Sequence, residues 1–150
     1  MHKLLLFFKY LFLSVIGGFA YYSIEMLYRG YSHYSMFILG GLCFILIGLL
    51  NEIWDWDTCI EKQVSIGLLI VLILEFIAGC ILNIWLGLRV WDYSNLPLNI
   101  LGQICMPFAL LWVPIIIVAI ILDDYIRYKV FKEEKPRYVS YILNKIKNMF

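Results

Sequence analysis

Four long apolar stretches, roughly residues 8–28, 34–54, 64–88 and 99–122, follow one another along the 150-residue chain with short polar breaks between them. Each is long enough for a helix rising 1.5 Å per residue to cross a hydrocarbon core, which takes ~20 residues. The pattern predicts an all-α membrane protein of four transmembrane helices, arranged as two tandem helical hairpins over 1–122. After Leu122 the chain turns charged, and Pro136 divides the segment 123–150 in two. In the second piece Val139, Ile142, Leu143 and Ile146 recur at helical spacing opposite Lys145 and Lys147, so a basic amphipathic cytoplasmic tail on the inner leaflet is expected.

A gapless shift of 62 positions carries Tyr31, Ser32, Gly40 and Cys43 onto Tyr93, Ser94, Gly102 and Cys105. This points to an internal repeat of one hairpin, the two copies related by an axis along the membrane normal. The same shift aligns Glu75, Gly79, Asn83 and Gly87 on the third helix with Leu13, Gly17, Tyr21 and Glu25 on the first. Residues four apart share one helix face, so these stripes predict a central contact between helices 1 and 3. Packing alone is the competing reading of that face. Pro107 and Pro114 are both expected to interrupt the fourth helix, each removing a backbone donor.

Composition agrees with a lipid solvent: 63% of positions are hydrophobic and 15% charged, with a mean hydropathy of +0.86. The first run follows Lys3 and continues into Glu25 and Arg29 without a convincing cleavage site, so it reads as a retained helix and not a signal peptide. Ten of the twelve Lys and Arg residues lie at the N-terminus, in the middle loop or in the tail, leaving only Arg29 and Arg89 in the other two loops. The positive-inside rule then puts both termini in the cytoplasm and residues 29–33 and 89–97 outside. Cys43, Cys59, Cys80 and Cys105 have no ligand spacing, so neither a disulfide nor a metal site is expected. A net charge of +1 and the lack of any nucleotide-binding glycine loop exclude nucleic acid and nucleotide from the reading.

Ionisable groups inside a span are costly, ~2.5–3.5 kcal/mol each on insertion scales, and usually face the bundle interior. Glu25 and Glu75 are two such groups. Glu25 precedes Arg29 by four residues, the order that favours a helical ion pair, and His33 follows four later. Glu75 lies deeper, with Lys9, Asn51 and Glu52 as candidate partners, and reads either as a proton- or cation-sensitive site or as a hydrogen bond that sets helix register. The outer breaks add Arg89, Trp91, Asp92, Tyr93 and Ser94. The candidate polar site is therefore Glu25, Arg29, His33, Glu75, Asn83, Arg89, Trp91, Asp92, Tyr93 and Ser94, between helices 1 and 3 and the outer loops, with Arg29, Arg89 and Asp92 read as a salt-bridged lid or a small polar pocket for an anionic or zwitterionic ligand. Ser32, His33 and Asp92 supply the residue types of a hydrolase, but adjacent side chains rarely reach the required geometry, so no catalytic residue is assigned.

Several motifs together resemble a bacterial family, the putative ABC-transporter type IV or CmpB-like proteins: Glu25-Met-Leu-Tyr-Arg29-Gly30, Ser32-His33-Tyr34-Ser35-Met36, Gly40-Gly41, Asn51-Glu52, Glu75-Phe-Ile-Ala-Gly79 with Asn83, and Trp91-Asp-Tyr-Ser94 with Pro97, Asn99 and Gly102. The match runs from about Val15 to Leu122, and the small size fits phage-encoded members too. The resemblance implies a multi-pass protein of the cytoplasmic (inner) membrane, a permease-like or accessory transport subunit. Four helices are few for such a permease half, and a homo-oligomer is expected. Any ATPase would be a separate partner, docked on the acidic loop 51–62 or on the tail. No cofactor is expected. The alternatives are a non-transporting interaction protein, holin-like or an assembly or stress factor, and third a membrane-embedded enzyme.

Overall fold

The computed structural model describes residues 2–54 and 59–134. The amphipathic piece of the tail, with Lys145 and Lys147, and the loop acids Asp55 and Asp57 lie outside the described residues. Four helices are long and apolar enough to cross a membrane, and large apolar side chains such as Phe8, Phe19, Leu69, Leu110 and Val118 stand exposed along their flanks. In water such surface would be covered; here it meets lipid.

Helix α1 spans His2–Arg29 and α2 spans Tyr34–Ile53. Between them Gly30 takes a left-handed φ of +77°, and the His33 imidazole caps α2 by accepting from the Ser35 backbone N–H. The hairpin closes on small residues: a Cβ on Gly17 would lie 2.2 Å from Phe44 Cβ, and one on Gly40 would lie 2.3 Å from Tyr21 Cβ. In lipid, where apolar burial does not drive helices together, such close backbone approach is the main source of attraction. Gly17 of α1 therefore packs against α2 and not against helix 3 as the stripe pattern predicts, although Tyr21 on the same face still reaches Glu75 of helix 3 with its hydroxyl. Gly79, the matching position on the third helix, packs on Gln103.

Helix α3 spans Ile60–Gly79 and runs on through a π-helical stretch, Cys80–Trp85. Within this wider turn Asn83 accepts from the Val90 N–H at 2.7 Å and donates to Gln103 Oε1 at 2.8 Å. Residues 86–105 form a folded cap. Its two short strands, β1 (Asn99–Ile100) and β2 (Ile104–Cys105), pair antiparallel. The buried Trp91 donates its indole N–H to the Gln103 carbonyl, and the Tyr93 N–H donates to the carbonyl of Gly102.

Helix α4 spans Met106–Val130, displaced toward the C-terminus from the expected 99–122. Leu98, Leu101 and Gly102 all have positive φ, which no right-handed helix accepts. The Asn99 side chain also bonds the carbonyls of Ser94 and Leu96 and the N–H of Gly102, a local alternative to helical hydrogen bonding. Pro107 consequently sits in the first turn of α4, where its missing N–H removes no helical bond, and only Pro114 lies inside the helix. At the other end α4 continues through Asp123, Asp124 and Arg127, so 123–130 is part of the spanning helix and not of a tail. The 62-residue repeat also fails here locally, since Gly40 and Cys43 are helical while Gly102 and Cys105 belong to the hairpin.

The core between α2, α3 and α4 holds Leu39, Cys43, Ile47, Val71, Ile116 and Ile120. Among the described residues the buried charged side chains are Lys9, Asp123, Asp124 and Arg127 at one end and Glu75.

Candidate functional site

On α1, Tyr21, Glu25, Tyr28 and Arg29 recur at three- and four-residue spacing and share one face, as Phe108, Leu111, Trp112 and Ile115 do on α4. Between these faces lies a cavity of about 260 Å³. Glu75 of α3 and Tyr93 of the cap complete its walls. Ile24, Tyr28 and Leu111, which border it, are exposed on the flank of the bundle, so the cavity opens sideways toward lipid.

Glu75 is only 4% exposed. Its Oε1 accepts the Tyr21 hydroxyl at 2.9 Å and its Oε2 the Trp112 indole N–H at 3.0 Å. Both donors are neutral, and no Lys or Arg among the described residues pairs with this acid. The Tyr21 and Trp112 rings lie 5.3 Å apart and form the back wall. Toward the cap, Phe108 stacks on Tyr93 at 4.5 Å and takes the Tyr28 ring edge-on at 5.8 Å. Burial, with the Glu75 carboxylate adding to it, pushes the Tyr93 phenol well above its ordinary range, so it stays a neutral donor.

At the Arg29 end, Glu25 accepts from Arg29 Nη2 and from the Ser32 hydroxyl, each at 2.6 Å. Arg29 Nη1 donates to the Val90 carbonyl at 2.9 Å, which ties α1 to the cap. Of the ten residues expected in the site, Glu25, Arg29, Glu75 and Tyr93 meet at the cavity. Asn83 and Trp91 hold the cap, and His33 caps α2. Arg89, Asp92 and Ser94 are exposed at the tip. No salt-bridged lid forms, because Asp92 is occupied locally: it accepts from the Ser94 hydroxyl at 2.5 Å and from its N–H at 2.9 Å, which holds its carboxyl below the usual range. The cavity thus lies between α1 and α4, with Glu75 of α3 bonded to Tyr21 of α1 in its wall. Tyr28, Phe108 and Trp112 were missed. Their recurrence at helical spacing was the available signal, hidden because aromatic residues gather at any membrane boundary.

The expected partners of Glu75 belong to a second cluster, at the Lys9 end. Lys9 bonds Glu52 at 3.2 Å and also Glu133. Arg127 bonds Asp123 through Nε at 2.5 Å and also Glu52. Asn51 donates to Asp124 at 2.6 Å. Asp123 is fully buried against Gly48, where a Cβ would lie 2.3 Å from its carboxyl carbon. Among the described residues, no three His, Cys, Asp or Glu side chains gather as metal ligands.

Four apolar helices under a folded cap, with an acid buried at a lateral cavity, define a multi-pass membrane protein. A family model described as Putative ABC-transporter type IV matches residues 5–149, and the chain belongs to that family. No curated protein and no solved structure matches it.

Proposed function

We propose that the chain is a permease-like or accessory transport subunit of a bacterial inner membrane, homo-oligomeric, with both termini cytoplasmic, and that the α1–α4 cavity is its substrate site. The observation that carries this reading is the cavity itself. About 260 Å³ of space stands beside a deeply buried carboxyl group, in a part of the chain where well-packed helices would leave neither. The sideways opening suits a ligand that arrives through the bilayer. The reading is non-enzymatic: Ser32 is bonded to Glu25, His33 to Ser35 and Asp92 to Ser94, so the three hydrolase-type residues do not converge.

Gentle solubilisation from its own membranes after cross-linking tests the subunit role. The chain is expected to be recovered as a homo-oligomer together with a second polypeptide that hydrolyses ATP. Recovery of the homo-oligomer without an ATPase overturns it. One observation favours the alternative of a non-transporting interaction protein: Glu25 and Asn83 spend their hydrogen bonds inside the chain. Leakage of cytoplasmic contents on expression would select the holin form of that alternative.

A further inference from the structure

The charges around the cavity do not cancel. Arg29 is matched by Glu25 in a 2.6 Å ion pair, whereas Glu75 is met only by the neutral donors Tyr21 and Trp112. A carboxylate so deeply buried is costly unless it takes up a proton or meets a cation. The rest of the wall is apolar, part aliphatic (Ile24, Leu111, Ile115) and part aromatic. Tyr21, Tyr28, Tyr93, Phe108 and Trp112 contribute five rings, and an aromatic face attracts a cation within about 6 Å of its centroid, most strongly where water is excluded. A ring cage beside an unpaired acid is the chemistry that recognises substituted ammonium groups. The lateral opening between Tyr28 and Leu111, both exposed to lipid, adds that the ligand carries an apolar portion.

We infer that the cavity between α1 and α4 binds an amphipathic organic cation, its ammonium group held between the Glu75 carboxylate and the aromatic walls and its apolar portion directed toward the lipid-facing gap. The inference rests on the cavity being a ligand site and names the class of ligand. An anionic lipid headgroup is disfavoured by the same geometry, because Arg29 is already matched by Glu25 and the carboxylates outnumber the guanidinium.

The test uses the full chain in phosphatidylcholine nanodiscs, titrated calorimetrically with benzyltrimethylammonium and, in parallel, with its neutral isostere neopentylbenzene. Saturable binding of the cation is expected, at least tenfold tighter than that of the isostere. Glu75→Gln should weaken cation binding at least tenfold, while Lys129→Gln, exposed near the C-terminal end of α4, should leave it unchanged. Equal binding of cation and isostere, or cation binding that survives Glu75→Gln, overturns the ligand class and leaves the cavity a binding site. Binding of neither compound overturns both readings. Should Glu75→Gln fail to fold, Phe108→Leu, which keeps an apolar side chain but removes a ring face, is expected to weaken the cation severalfold and the isostere little. An equal effect on both ligands overturns the assignment.

Discussion

Asp123 and Gly48 form one unit, although they are 75 positions apart. The carboxyl group fills the space that a side chain at 48 would occupy, so Gly48→Ala must displace a buried, ion-paired acid. Overpacking of this kind costs ~1–3 kcal/mol. The thermal midpoint in detergent should fall accordingly, whereas Gly30→Ala, with nothing within 4 Å of the added Cβ, should cost only the strain of its positive φ. Asp92 is a residue-scale case of the opposite kind, exposed and local. Its carboxyl is held below the ordinary range by the Ser94 hydroxyl and N–H, so its contribution to the turn is complete above the normal carboxylate pKa of ~3.9 and is lost as pH falls through the lower folded value. Protection of the Ser94 amide, its exchange rate compared with that of an unstructured amide at the same pH, should be present at neutral pH, be lost only in that acidic window, and be absent at every pH in Asp92→Ala.

Proline position and charge pairing decide the behaviour of α4. Pro107 occupies the first turn, so Pro107→Ala should change stability by no more than ~0.5 kcal/mol. Arg127 bonds Asp123 from one turn further along the helix and also Glu52 of α2. Arg127→Met leaves the buried Asp123 without its cation, a change that costs ~3–5 kcal/mol where a buried pair is broken on one side. Asp123→Asn in the same chain should recover much of that loss, because the stranded charge is gone. An unfolding series on the two single variants and the double measures the coupling, and additive losses would mean that the pair is not a unit. The same cluster explains why α4 does not stop at Leu122: a run of charges reads as solvated tail only while its partners on α1 and α2 are out of sight.

For the whole molecule, the excess of Lys and Arg at the Lys9 end predicts sidedness. Asn95→Cys, exposed on the cap, should react in intact cells with a membrane-impermeant maleimide, and Lys132→Cys should react only after lysis. Labelling of the reverse pattern would invert the topology. Four spanning helices and an acid at 75 turned into the bundle were legible in the chain, because helix length and the exclusion of charge from lipid are local or nearly local constraints, whereas the limits of the fourth helix were not. Tertiary structure alone decided which helix faces meet. Gly17 and Tyr21 suit any small-residue contact, and only the packing of Phe44 and Gly40 against them assigns that face to α2 and leaves α1 and α4 apart around the cavity. The cap at 86–105 was hidden for a related reason. Its left-handed turns and the bonds from Asn83 and Asn99 are set by neighbours brought together in folding, while Ile, Leu and Cys in the same segment are equally at home in a helix. Apolar periodicity specifies that a segment is buried in lipid, but what a side chain faces depends on residues tens of positions away.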